Sequence, residues 1–266
     1  MSVTRHYPAR LVRQRLPRQG RIDRHDHDRH QLLCPVSGVI SVSTDTGTWV
    51  IPPQRAIWLP ACCPHAHAAH GAAELCSVLL PVQESRLDQG SSLDQETPLD
   101  PGQPTVLGVS PLLREVLLAL TATPAPGEGE RARLEAVVFD QLRPVPVSGA
   151  YLLPEPADDR LQKIAQVLHD DPGDPRTLAE LARQAGSSER TLSRLFRSDT
   201  GMSFPQWRAQ LRVQAALIDL AAGTPVGTVA HRCGYSTPSA FIAAFRQAFG
   251  ITPGAYRQTP GAYRRG

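Results

Sequence analysis

The chain has no apolar run approaching the ~18 residues that a membrane-spanning helix needs, and no basic-then-apolar leader opens it. Both absences argue against membrane insertion and export, so a cytoplasmic protein is expected. Cysteine is scarce: there are five, none in CxxC spacing, which gives no sign of a disulfide framework and fits a reducing compartment. The adjacent Cys62 and Cys63 read as a small-residue turn, since neighbouring cysteines rarely bridge each other. An excess of charge is also lacking, for the formal net charge is only +3. The balance is uneven, however. From Arg176 onward twelve Arg face four acids, a net +8, whereas residues 1–175 carry sixteen basic and twenty-one acidic groups, a net −5. A basic C-terminal part on an acidic remainder suits attraction to phosphate, with a merely solvated charged face as the alternative. The 266 residues suffice for two modest domains with real cores.

The richest stretch runs from Thr177 to Tyr256. In the first part, Leu178, Leu181 and Ala182 recur at helical spacing and Ala185-Gly186 closes that helix. Ser187 or Ser188 can cap the next helix, whose buried face would be Leu192, Leu195 and Phe196, and Gly201 ends it. The second part repeats the order. Val226, Val229 and Ala230 lead to Gly234, then Thr237 as N-cap, Pro238 at the first helical position and Phe241, Phe245 and Phe249 as the buried face. Two short helices joined by a tight turn form a unit that enters a DNA major groove. Between the two units, Trp207, Leu211, Ala215, Ile218 and Ala222 lie near helical spacing. About 20 helical residues span roughly 30 Å, close to one turn of B-DNA. Such a spacer would set two recognition helices into successive grooves of double-stranded promoter DNA.

The residues Ala185-Gly186-Ser187, Leu192, Arg194, Phe196, Gly201, Ala230, Gly234-Tyr235, Phe241, Phe245, Phe249-Gly250, Thr252-Pro253 and Tyr256-Arg257 resemble the bipartite DNA-binding domain of the AraC/XylS family of transcription regulators. The resemblance implies that Arg190, Ser193 and Arg194 face the groove, and Arg can grip guanine O6 and N7 with two bonds. Arg197, a turn further on, reads as a phosphate contact or a surface charge. On the second recognition helix the outward residues are Thr237, Ser239, Ala240, Ala243, Arg246 and Gln247. Ala243 stands where many relatives have Arg, and alanine can touch a thymine methyl but cannot hydrogen-bond a base edge. The second unit is therefore expected to rely on backbone contacts from Thr237, Ser239 and Arg246. RNA polymerase is a further partner the resemblance allows, and the protein would act as a monomer or homodimer.

From Ile22 to about Pro81 the pattern turns β-like. Short runs at Leu32-Leu33, Gly38–Val42, Thr48–Ile51 and Ile57–Leu59 are broken by Thr46-Gly47 and Pro52-Pro53. They predict a small antiparallel barrel or jelly roll. Six of the nine histidines fall between residues 25 and 70. His25 and His27, two apart, share a face if the segment is extended. The His25-x-His27-x3-Gln31-x6-Gly38 spacing resembles the first signature of the cupin fold, with Gln31 where a Glu is usual. Pro60-x-Cys62-x2-His65 resembles the second, with Cys62 and Gln54 in place of its usual glycines. The resemblance implies that His25, His27, Gln31 and His65 converge on one divalent metal, and neutral imidazoles suit Zn, Ni, Fe or Cu. The missing carboxylate leaves such a site uncharged. His30, His67 and His70 have no place in either signature and are expected to face solvent.

Gln83 to Pro104 is polar and turn-rich. Two amphipathic helices should follow, Pro111–Ala122 with Leu112, Leu113, Val116, Leu117 and Leu120, and Glu128–Leu142 with Leu134, Val137, Val138 and Leu142. They cover the barrel or form dimer contacts. A proline-bearing connector, 143–157, then leads to a helix over Arg160–His169. The expected fold is α+β, a cupin-like β-barrel over 1–83 and a helical linker over 84–157, then an all-α domain with two helix-turn-helix units over 158–258 and a tail over 259–266.

The cluster around His25-Asp26-His27, with WVIPPQRAIWLP and GYSTPSAFIAAFR, resembles a branch of the AraC/XylS family that includes a nickel-responsive regulator of metal efflux. The expected function is a sequence-specific DNA-binding transcription regulator whose barrel senses a small effector. The resemblance points to a divalent transition metal (Ni, Zn, Co or Fe), and organic effectors are known in metal-free relatives. A barrel that senses nothing and only dimerises is a further reading. The alternative from another class is a cupin metalloenzyme with an accessory DNA-binding domain; against it, no acid stands at Gln31 and residues 158–258 are given to DNA recognition.

Overall fold

Two long strands, β3 (His30–Thr44) and β6 (His65–Leu80), pair antiparallel along most of their length and carry the N-terminal half of the computed structural model. The structure describes residues 12–82, 102–142 and 148–258. The expected tail, residues 83–101 of the polar stretch and residues 143–147 of the connector lie outside the described residues. β6 also pairs with β1 (Val12–Leu16) through its second half and with β2 (Arg21–His25) through its first, both antiparallel. β5 (Arg55–Leu59) joins β3 at Gln31–Leu33, and β7 (Thr105–Gly108) joins β5. β4 (Gly47–Ile51) follows β3 across a tight turn.

The sequence suggests separate runs at Leu32-Leu33 and Gly38–Val42, but the structure fuses them into one strand. The register shifts between Pro35 and Ser37 and again between Ser37 and Val39 absorb the irregularity. Gly38 makes this fusion workable. Its φ is +76°, and a Cβ there would lie 2.5 Å from the Ala72 carbonyl oxygen and 2.8 Å from the Ala73 Cα. β1, in a stretch that is uninformative by pattern, forms because β6 offers it a free edge.

α1 (Pro111–Leu120) and α2 (Glu128–Asp140) lie in the two helical stretches expected from periodicity. Ser110 caps α1 by accepting from the Leu113 N–H at 3.1 Å. Leu113, Val116, Leu117 and Leu120 of α1, with Val138 and Leu142, share one core with Leu32, Cys34, Trp58, Cys76, Val78, Leu80 and Leu107 of the sheet. Leu112, expected in the apolar set, is instead half exposed. The span 84–157, expected as a linker, thus gives β7 and both helices to the sheet's own core. Alternate residues of a strand face opposite sides, so Leu32 and Val78 meet the helices while Gln31 and Ser77 point to the other face. That other face carries the histidines.

The chain divides into two compact units, the first holding residues to 45 and 50–148, the second 46–49 and 149–259. In the second, β8 (Leu152–Leu153) pairs with Trp49 and Thr48 and precedes seven helices among the described residues. These are α3 (Asp159–Asp170), α4 (Leu178–Gln184), α5 (Glu189–Thr200), α6 (Phe204–Ala221), α7 (Val226–Arg232), α8 (Pro238–Phe249) and α9 (Pro253–Gln258). α6 is buried on more than one side, through Phe204, Trp207, Leu211, Val213, Gln214, Ala216, Leu217 and Leu220. The expected stripe through Ala215, Ile218 and Ala222 is correspondingly wrong, because a helix shared by α5 on one flank and α7 and α8 on another has no single apolar face. Among the described residues no helix is long and apolar enough to cross a membrane.

Gly38→Ala combines a left-handed alanine, about 1–2 kcal/mol, with overpacking against Ala72 and Ala73, about 1–3 kcal/mol. A loss of roughly 2–5 kcal/mol in unfolding free energy is expected from these two effects, measured by urea denaturation followed through tryptophan fluorescence.

Candidate functional site

In the first unit, His25 ends β2 directly opposite His65 at the start of β6. His27 lies in the turn that follows, where its carbonyl accepts the Cys62 N–H at 2.8 Å and ties that turn to the one before β6. Gln54 and Cys62, which replace glycines of the resembled signature, have φ of +68° and +59°, so the backbone keeps the left-handed form without glycine at either position.

The three imidazoles are held in the same way. His25 Nδ1 lies 2.8 Å from the Asp23 carbonyl oxygen, His27 Nδ1 2.7 Å from that of Arg29, and His65 Nδ1 2.9 Å from that of Cys63. A carbonyl only accepts, so each Nδ1 carries a proton, and a ring that is neutral has its lone pair on Nε2. All three rings are buried, one donor atom from each lying within 4.8 Å of the other two. The ring centroids are 4.4 Å apart for His25 and His65, 5.3 Å for His27 and His65, and 6.1 Å for His25 and His27. Burial pushes the His65 imidazole down to about 3, which keeps it neutral, and its Nε2 has no hydrogen-bond partner.

Gln31 is buried beside them, its Oε1 3.0 Å from His27 Nε2 and its Nε2 donating to Ser77 Oγ at 2.8 Å. All four sequence-derived positions are therefore brought together. Of the histidines expected to face solvent, His70 is only half-buried, but His30 and His67 are buried. His30 stacks on Trp58 at 4.5 Å and accepts the Ala61 N–H at 3.2 Å, which gives it a structural role. His67 follows His65 on the same face of β6. Period-two spacing from His65 was the available signal, but nothing in the sequence said that both faces of β6 would be covered.

The second unit presents the helix-turn-helix pairs. Thr177 and Glu180 form a capping box at α4. Ser188 caps α5 by accepting from the Thr191 N–H at 3.2 Å, and Gly201 closes it in the left-handed form at φ +71°. Leu192 and Phe196 are buried and Leu195 only partly so, leaving Arg190, Arg194 and Arg197 exposed and Ser193 half-buried. On α8, Phe241, Phe245 and Phe249 are buried, and Ser239, Ala240, Ala243 and Arg246 are exposed. Ile242 is exposed as well and widens the apolar part of that outer surface. It was missed because it breaks no spacing rule. Thr237, read as a DNA contact, also serves as the N-cap, its Oγ1 accepting from the Ala240 N–H at 3.2 Å.

α6 has 18 residues, about 27 Å of helix. It also fixes the segment before α3: Trp207 Nε1 donates to the Pro154 carbonyl at 2.8 Å, and the side-chain amides of Gln210 and Gln214 donate to the carbonyls of Leu152 and Ala150 at 3.4 Å. Gln214 is buried for this reason.

Comparison with known proteins separates the same two parts. Residues 6–139 match the family model of an AraC-like ligand binding domain, and residues 181–259 match that of a helix-turn-helix domain. The chain is 32% identical over 234 residues to the HTH-type transcriptional regulator NimR of Escherichia coli, covering 87% of this chain and 81% of that protein. It is 40% identical over 103 residues to the HTH-type transcriptional regulator RipA of Corynebacterium glutamicum, a match that covers 39% of this chain and 31% of RipA. Among solved structures, fatty-acid-bound ToxT of Vibrio cholerae aligns over 96% of this chain and 97% of its own, at 10% identity and a TM-score of 0.40.

Replacing a side-chain N-cap by alanine costs about 1 kcal/mol. Thr237→Ala should lower the unfolding free energy by about that amount and Thr237→Ser should restore most of it, as read by thermal denaturation followed by circular dichroism.

Proposed function

Because the chain belongs to the AraC family of DNA-binding transcription regulators, we propose that its ligand-binding domain takes a divalent transition metal as effector, and that promoter occupancy by the helical unit changes when the histidine site is filled. The family and the relatives are regulators, so the protein is not an enzyme and the reading as a cupin metalloenzyme is set aside.

The observation that carries the metal reading is the convergence of three buried imidazoles whose Nδ1 atoms are all committed to backbone carbonyls. Such outer hydrogen bonds fix the tautomer and orient metal-binding histidines. Gln31 adds a second observation. Its amide oxygen lies 3.0 Å from His27 Nε2. Two donors each about 2.1 Å from one cation, at right angles, are separated by about 3.0 Å. His25, His27 and His65 would hold the metal, with Gln31 as a weak oxygen donor. Three imidazoles favour Ni, Co, Zn or Cu over Mg or Ca, which take oxygen ligands. When bound, the metal supplies a positive charge at the centre of the sheet's inner face.

Promoter occupancy responds only if the DNA-competent and DNA-incompetent states differ in metal affinity, however tight the binding. Recognition falls to Arg190 and Arg194 of the first helix-turn-helix pair, supported by Ser193 and Arg197. Thr237, Ser239, Ala240, Ala243 and Arg246 of the second add backbone and methyl contacts.

The test is a DNA-binding titration of the full chain on a site it selects from a random pool, first with chelator and then with nickel, cobalt, zinc or copper. A metal-dependent change in affinity is expected, and it should vanish in the His25→Ala/His27→Ala double variant while chelator-state binding stays intact. Specific binding that is indifferent to every metal would overturn the metal reading. Independently, Arg194→Ala should weaken specific binding by about 1–3 kcal/mol and relax base choice at one position; unchanged specificity in a selection experiment would remove Arg194 from the reading set.

A further inference from the structure

We propose that the three-histidine site takes its metal together with a small exchangeable anion, and that the imidazole of His67 is the group that holds this anion. The inference rests on the metal reading above and extends it to a second ligand.

The first argument is charge. Among the described residues, the group of side chains able to close on one metal consists of His25, His27 and His65, with no acid and no cysteine. Gln31, the fourth donor, is also neutral. A dication held by neutral ligands alone in a buried site keeps its whole charge away from water, which costs several kcal/mol unless an opposite charge accompanies it. Metal sites with a carboxylate or thiolate solve this within the protein. Among the described residues no side chain of the group supplies it, so the counter-charge comes with the metal.

The second argument is an imidazole without a partner. His67 is 5% exposed, and neither of its ring nitrogens has a hydrogen-bond partner. A neutral imidazole carries one N–H in either tautomer, so one buried donor goes unsatisfied whichever nitrogen bears the proton. Such a group costs about 1–3 kcal/mol, and buried polar atoms left this way call for an explanation.

The third argument is position. His67 follows His65 by two residues on β6, so both face the same side, and their rings lie parallel within 12° at 6.4 Å. Its ring meets that of His25 edge-on at 6.2 Å. His67 nevertheless falls outside the group whose donor atoms come within 4.8 Å of one another. It stands one layer beyond the ligands, at the reach of an atom bound to the metal. His27 and Gln31 close the flank where His27 Nε2 meets the Gln31 amide. A single small anion, monodentate to the metal and accepting the His67 N–H, satisfies the charge and the orphaned donor together.

The experiment uses the full chain, freed of metal with chelator, loaded with one equivalent of Co(II) and titrated with azide in halide-free buffer at constant ionic strength. The visible spectrum should change with one-to-one saturation. His67→Phe fills the same space without a donor and should weaken azide binding tenfold or more, with Co(II) affinity within a few-fold of the parent. His67→Gln, which keeps an N–H, should recover most of the azide affinity. If Co(II) binds but azide leaves its spectrum unchanged, or if His67→Phe and His67→Gln bind azide as the parent does, the anion proposal is overturned and the metal reading stands. If the full chain takes up neither Co(II) nor Ni(II), both fall together.

Discussion

The antiparallel pairing of β3 with β6 is the constraint on which the first unit depends. It runs from His30 opposite Leu80 to Ser43 opposite Ala66, and it survives two register shifts. Where both strands are covered on both faces, over Gln31–Val36 and Leu75–Leu80, every residue is assigned to one of two interiors. One interior is apolar and takes Leu113, Leu117 and Val138 of the helices. The other is polar and has to satisfy its own hydrogen bonds without water. Gln31 and Ser77 meet there, and the histidines of β2 and β6 donate through Nδ1 to nearby carbonyls. The same pairing that builds the hydrophobic core therefore also builds the site.

The helical unit depends on a different device, a helix shared by two helix-turn-helix pairs. α6 contributes Trp207 and Leu211 to the core of the first pair, together with Leu192 and Phe196, and packs along its other flank against α7 and α8. Capping by Ser188 and Thr237 and left-handed closure at Gly201 and Gly250 fix where each recognition helix begins and stops. The exposed surfaces differ in chemistry. The first carries three arginines, which can hydrogen-bond bases and phosphates. The second is largely small and apolar, with Ala240, Ile242 and Ala243. Methyl groups of that kind can touch a thymine methyl but cannot hydrogen-bond a base edge.

Neutrality sets the chemistry of the histidine site. Burial holds the His65 imidazole unprotonated, so it is ready to ligate without first releasing a proton. The glutamine in place of an acid keeps the pocket uncharged, which disfavours hard, oxygen-seeking cations. It also leaves any bound dication in need of a counter-charge.

The sequence by itself determined the second unit almost completely. Turn glycines, N-caps and apolar residues at helical spacing are local signals, and helices α3 to α8 fall where those signals place them. It also determined His25, His27, Gln31 and His65 as a group, because a spacing motif survives without three-dimensional information. Tertiary structure alone decided the rest. It fused two short runs into one strand through a bulge at Gly38, added β7 to the sheet, and packed against that sheet the two helices whose role the sequence left open. It also buried α6 on two flanks, where periodicity showed one stripe. It placed His67 in the interior for the same reason: a strand's period gives which side a residue faces, but only packing of distant segments decides whether that side meets water.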